Sequence, residues 1–110
     1  MNIEMKLVLL ECLYRERQIA DAKRPPKWRT YSRMIDAELR EYGPRYSPAE
    51  WFGDGKPLEE KMRVRYLRAV HKLHKDDLLA MTTISGKLAH LKLTDAGRDA
   101  AEQVANEPDE

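Results

Sequence analysis

Cysteine is scarce in this chain, with only one, Cys12, among 110 residues. A single cysteine closes no internal disulfide. Cys12 lies in the apolar stretch from Leu7 to Leu13 with nothing beside it to lower its pKa, so it reads as a small buried hydrophobe. No apolar run approaches the roughly 18 residues of a membrane span. The first residues, with Glu4, Lys6 and Glu11 around a short Leu-rich stretch, carry no signal-cleavage pattern. A protein without membrane contact and with a cytoplasmic location is therefore expected. A phosphate-cradling glycine loop, a nucleophile elbow and an HExxH zinc motif are all missing. With no convergent acid and base pair either, neither an enzyme nor a bound cofactor is expected, and nothing points to a small-molecule effector. Net charge is scarce too, at +1, which argues against a protein that coats nucleic acid indiscriminately.

What is present suffices for one core. A chain of this length is expected to form one domain, residues 1–106, followed by an acidic tail at 107–110. Its 42% apolar and 35% charged residues allow a core beneath a heavily charged surface. From Ile3 to about Ala22, the residues Ile3, Leu7, Val8, Leu10, Leu13, Tyr14 and Ile19 recur mostly three or four apart without Gly or Pro, which predicts a helix. Pro25-Pro26 interrupts it. A second helix is expected to begin near Thr30 or Ser32, either of which suits an N-cap. It should carry Met34, Ile35 and Leu39 inward and stop at Gly43-Pro44.

Ser47-Pro48-Ala49-Glu50 is a compact start signal: Ser at the N-cap, Pro at the first helical position, and Glu placed to close a capping box. A short helix through Trp51-Phe52, a turn from Gly53 to Pro57 and a long polar helix from Leu58 to about Lys75 follow. Leu78–Ile84 and Lys87–Leu93 flank Ser85-Gly86 as a β-hairpin, the second run alternating Ala89, Leu91 and Leu93 against Leu88, His90 and Lys92. Thr94 caps a last helix from Asp95 to about Val104, with Asp95 and Asp99 near its positive end. The expected class is mainly α (α+β).

Charge is segregated along this frame. Residues 61–75 hold six Lys or Arg and no Asp or Glu, and residues 15–33 sum to +5. At 100° per residue, Met62, Tyr66, Leu67, Val70 and Leu73 share one side of the long helix. Lys61, Arg65, Arg68, Lys72 and Lys75 line the other, with Arg63 nearer the flank. A solvated helix usually pairs its charges at i+4 for a few tenths of a kcal/mol each. This one tolerates repulsion, so its counter-charge is expected from outside the helix, and DNA phosphate supplies it naturally. Arg also forks onto guanine in the major groove. A short capped helix, a Gly-containing turn and a longer basic helix form the order that presents a recognition helix to double-stranded DNA. Lys87 at the hairpin tip is positioned to reach an adjacent groove or phosphate. The second block, Lys23, Arg24, Lys27, Arg29 and Arg33, would add flanking phosphate contacts.

The run RAVHKLHKDDLLAMTTISGKLAHLKLTDAGRDAAE, residues 68–102 and about a third of the chain, resembles the winged-helix signature of MarR-like and PadR-like bacterial regulators. The likeness lies in a recognition helix ending in spaced Val and Leu, a strand, a wing, and LTDAGR opening the next helix. It implies a winged helix-turn-helix fold, transcription regulation, major-groove insertion by residues 58–75, wing contacts around Ile84 to Lys87, and commonly a homodimer on a palindromic site. Asp77 stands where such families often place Gly, and Asp enters the left-handed region more readily than most residues. Residues 23–46 are longer than the usual link into the short helix.

Other readings are weaker. His71 and His74 at i and i+3, with His90 on the hairpin, lack the four-ligand pattern of structural zinc, so no metal is expected, with one histidine partly packed and two exposed. Trp28, Tyr31, Tyr42, Tyr46, Trp51 and Phe52 are expected to fill core rather than stack on bases. The alternative to DNA binding is a winged-helix adaptor whose basic face meets an acidic protein. A symmetric contact of a homodimer is sought on the N-terminal helix and on the side of the last helix that holds Ala100, Ala101, Val104 and Ala105.

Overall fold

The computed structural model describes residues 1–24 and 28–107, residues 30–32 by their backbone alone. Among them the order is α1 (Ile3–Asp21), α2 (Thr30–Tyr42), α3 (Pro48–Phe52), α4 (Glu60–Lys75), β1 (Leu79–Ile84), β2 (Lys87–Leu93) and α5 (Asp95–Ala105). The molecule is thus mostly helical with one two-stranded antiparallel sheet. No helix of the described residues is long and apolar enough to cross a membrane. The Pro25-Pro26 break and tail residues 108–110 lie outside the described residues.

Asn2 opens α1, its side chain accepting from the Met5 N–H at 2.9 Å. The buried side is Met5, Val8, Leu9, Cys12 and Leu13, joined by Glu4. Ile3 and Tyr14, part of the same helical pattern, are 60% and 58% exposed. The reason is that α1 is apolar on two sides: Ile3, Leu7, Leu10 and Tyr14 recur at the same spacing as the side that is buried, so periodicity alone does not choose between them. Packing chooses, because α1 lies against α4, α5 and β2 at once. Val8, Leu9, Cys12, Val70, Leu73, Leu91 and Ala101 are completely sealed there. Burial pushes the Cys12 thiol far up, in keeping with a hydrophobe's role. Truncating one such leucine costs about 2–5 kcal/mol, so α1 is a fixed backing for α4 rather than a mobile arm.

The N-cap of α2 is Arg29, one residue before Thr30 and three before Ser32, without a side-chain cap bond. Met34 is 66% exposed rather than inward, while Ile35 and Leu39 are half-buried. Gly43 ends the helix at φ +87°, and a Cβ there would lie 2.2 Å from the Leu91 carbonyl oxygen, so glycine is required on both counts. This close approach lets the chain run beside β2: Leu91 N–H donates to Pro44 O at 3.2 Å and Tyr46 N–H to Ala89 O at 2.8 Å. Arg45 and His90 form an isolated antiparallel bridge at this edge, a pairing that the sequence reading did not foresee.

Both faces of β2 are consequently covered. Leu91 and Leu93 enter the core, while His90, only 1% exposed, meets α2. Its Nδ1 lies 2.9 Å from Gly43 O and its Nε2 3.1 Å from a Glu38 carboxylate oxygen. Of the three histidines, one of which was expected to pack, His90 is the packed one, and it is buried outright. Lys92 ammonium donates to the Arg40 and Glu41 carbonyls at 3.3 and 3.1 Å, satisfying the end of α2. The hairpin closes through Ser85 at φ 52° and Gly86 at φ 77°. Two positive values make the type I′ turn that matches strand twist. Pairing shifts register between Thr82 and Thr83, leaving Ala89 as the extra residue of a bulge.

α5 starts as read from the sequence, with Thr94 Oγ1 accepting from Gly97 N–H at 3.0 Å. Its apolar side is used in part internally: Ala101 is sealed, and Ala100 and Val104 pack half-buried on the core. Glu107, assigned to the tail, is tied back to Lys6 at 2.9 Å.

Candidate nucleic-acid interface

The site is assembled around α3, the turn after it and α4. Ser47 occupies the N-cap and Pro48 the first position of α3, but no side-chain cap bond forms, so the expected capping box is not made. Aromatic contacts hold this short helix instead. Phe52 stacks on Tyr66 of α4 with ring centroids 3.8 Å apart and planes 3° from parallel. Trp51, 4% exposed, donates its indole N–H to Arg45 O at 3.1 Å and lies under the Arg15 guanidinium. Tyr46 meets Trp51 edge to face. The core role expected of the aromatics thus holds for Trp51, with Phe52 and Tyr46 packed against the cluster. It fails for Trp28, 74% exposed, and Tyr42, 41% exposed. The Tyr31 side chain is outside the described residues.

Asp54 and Gly55, at φ 53° and 84°, turn the chain toward α4, which begins at Glu60 rather than Leu58 because Pro57 and Leu58 remain in the turn. Tyr66, Ala69, Val70 and Leu73 are its buried residues. Ala69 belongs with them, whereas Leu67 and Met62 are only half-buried. At the end of α4, Asp77 takes φ 61°. Leu78 N–H donates to Leu73 O at 2.9 Å and His74 Nδ1 lies 2.9 Å from Leu79 O, which joins the helix directly to β1.

Helix geometry sorts the basic row. At 3.6 residues per turn, Arg65 falls about 40° from buried Ala69, on the flank, while Lys61, Arg68 and Lys75 fall farther round toward solvent. Arg65 accordingly meets α1 and pairs with Glu4, whose side chain is 5% exposed against 49% for Arg65. Arg63 pairs with Glu60 at 3.8 Å and Lys72 with Asp76 at 3.2 Å. The expectation that nothing in the chain answers this row is therefore corrected at three positions, by acids just beyond its ends and by one on α1. The corrections differ in weight. Exposed pairs at i+3 and i+4 are worth a few tenths of a kcal/mol and yield to a competing anion. A buried carboxylate such as Glu4 is costly to leave alone.

Lys61, Arg68 and Lys75 are exposed and have no carboxylate partner among the described residues, and the same holds for Lys87 beside the hairpin turn. Two depressions flank Arg65 and Arg68. One, of about 390 Å³, is lined by Asn2, Glu4, Met5, Arg65, Arg68, Ala69 and Lys72. The other, of about 570 Å³, is lined by Glu60, Lys61, Val64, Arg65 and Arg68. The hairpin, six or seven residues to a strand, carries Lys87 roughly 20 Å from its base at about 3.3 Å per residue.

The second basic block contributes less definition. Lys23, Arg24, Arg29 and Arg33 are exposed, and the Arg29 guanidinium lies 4.7 Å over the Trp28 ring. Lys27 lies outside the described residues. The α2 helix of this block packs on α1 and β2. His71 and His74 are exposed and His90 is engaged with α2. No cluster of three or more His, Cys, Asp or Glu able to hold a metal ion occurs among the described residues. Glu4 is the site residue that sequence reasoning passed over. Its signal was present as an acid standing in register with Val8 on the side of α1 that is buried.

Comparison of the chain with protein families, with curated proteins and with solved structures finds no match.

Proposed function

We propose that the chain is a winged helix-turn-helix protein that binds double-stranded DNA as a transcriptional regulator, with α4 in the major groove and the β1–β2 hairpin as the wing. One observation carries this reading. Lys61, Arg68 and Lys75 form an outward cationic row without a carboxylate partner among the described residues. A repulsive row is retained on a helix when an external polyanion neutralises it. The order α3, turn, α4, hairpin supports it as a recognition unit, and the aromatic stack of Phe52 on Tyr66 supplies rigidity between the two helices.

The experiment is selection from a randomised duplex pool followed by gel shift and salt titration. Log affinity is expected to fall linearly with log salt, with a slope of about −0.9 per phosphate neutralised. Arg65→Ala and Arg68→Ala are each expected to weaken the selected complex, by about 1–3 kcal/mol where the side chain reads a base. Absence of binding to any duplex at low salt, or full affinity in both variants, refutes the reading. The second reading is a winged-helix adaptor whose basic face meets an acidic protein, through the same exposed Lys61, Arg68 and Lys75. It takes precedence if duplex binding fails.

A further inference from the structure

We propose that Glu4 is a positioning residue for DNA recognition: its buried carboxylate holds the Arg65 guanidinium in one orientation and cancels its charge, so Arg65 reads base edges while Lys61 and Arg68 attract phosphate. This rests on the reading of α4 as a DNA-binding helix and divides the labour within it.

The division follows from burial. Glu4 is on the inward side of α1, its side chain 5% exposed, and Arg65 of α4 is its one cationic partner among the described residues. Separating them would strand a carboxylate away from water, a large penalty, so the pair persists when a polyanion arrives. The Arg63–Glu60 and Lys72–Asp76 pairs are between exposed side chains and have no such penalty to hold them.

A guanidinium has five N–H donors in a rigid fork. Glu4 engages it through Nη2, and Nη1 lies 4.0 Å from Met62 Sδ. The side chain is still half exposed, so further donors face outward from a head that is already held. A side chain ordered before binding loses less entropy on binding, which favours base readout. The same contact makes Arg65 a poor phosphate ligand, because it reaches the duplex as half of a neutral pair. Lys61 and Arg68, exposed and without carboxylate partners among the described residues, bring uncancelled charge to either side of it.

The test uses the full chain, the duplex recovered by selection and an unrelated duplex of equal length, each titrated across a salt series. In Glu4→Gln the Arg65 charge is released. The salt slope is expected to steepen by about 0.9, the unrelated duplex to bind more tightly, and preference for the selected duplex to fall about tenfold. A merely structural Glu4 would leave the slope in place. Arg65→Lys keeps a charge opposite Glu4 and removes the fork, so preference falls while the slope stays as in the native chain. If circular dichroism finds Glu4→Gln unfolded, full preference in Arg65→Lys still overturns the proposal. A native slope and native preference in Glu4→Gln, or full preference in Arg65→Lys, overturns the proposal while leaving DNA binding intact. Failure of the native chain to bind any duplex overturns both.

Discussion

Replacing Gly97 by alanine tests how closely α5 is seated on the hairpin, because two effects of opposite sign compete. Gly97 is the third residue of α5, and removing a glycine from a helix gains about 1 kcal/mol of intrinsic propensity. A Cβ at this position, however, would lie 1.8 Å from the Leu78 carbonyl oxygen and 2.8 Å from its carbon. Both are backbone atoms, held by the Thr94 N–H to Leu78 O bond at 3.2 Å and by Leu78 N–H to Leu73 O at 2.9 Å. Neither can rotate away as a side-chain tip could. Restoring ordinary contact requires α5 to retreat by about 1.5 Å, which loosens Ala101 and strains the Thr94 cap; overpacking of this kind costs about 1–3 kcal/mol or more. Because the clash is with backbone atoms, the upper part of that range applies, about 2–3 kcal/mol, leaving a net loss of about 1–2 kcal/mol after the propensity gain. That corresponds to a fall of roughly 5–15 °C in melting midpoint for a domain of this size. Circular dichroism during thermal unfolding reads it. A midpoint equal to or above that of the native chain would refute the close approach and with it the junction that orients the hairpin.

Three further outcomes are expected. The Tyr46 hydroxyl is buried without a hydrogen-bond partner among the described residues, and burial pushes its pKa to about 12. Tyr46→Phe is therefore expected to stabilise the fold by about 1 kcal/mol in chemical denaturation, and a loss of that size would reveal a partner. Burial raises the Glu16 carboxyl above its ordinary value, against a bond from Leu93 N–H and the nearby Arg98 charge. The His90 hydrogen bond, aided by Arg45, lowers that of Glu38. A raised carboxyl favours the fold below its unfolded value and loses that contribution as pH rises through the folded one, whereas a lowered carboxyl contributes above its unfolded value and loses it as pH falls. Glu16→Gln should thus melt higher than the native chain at neutral pH, with the gap closing below about pH 4. Glu38→Gln should melt lower at neutral pH, its deficit narrowing on acidification. Parallel melting curves across pH would count against both.

The elements announced by local chemistry were legible. Thr94 caps α5 as its position before an apolar-periodic segment implies, Gly43 ends α2, and Ser85-Gly86 closes a two-residue turn. Asp77, present where a left-handed residue was called for, adopts φ 61°. Less legible was anything dependent on which surfaces meet. α1 offered two apolar sides and the wrong one looked equally good. Alternation set His90 opposite Leu91 on β2 without indicating what covers that face, and α2 covers it and buries His90. At the candidate site, the basic row was plain in the residues themselves, while its partial neutralisation by Glu4 came from a helix distant in the chain.

Periodicity, caps and turn residues act over a few neighbouring positions, so the sequence by itself determined the succession of helices and the hairpin, and the concentration of positive charge on α4. Tertiary structure decided which side of α1 is sealed, how α2 and the edge at Arg45 cover β2, and which cations keep their charge. Those outcomes depend on desolvation and Coulomb energy between groups brought together only by folding. No local pattern contains the distance between Glu4 and Arg65, and that distance divides the basic row into a held guanidinium and free charges.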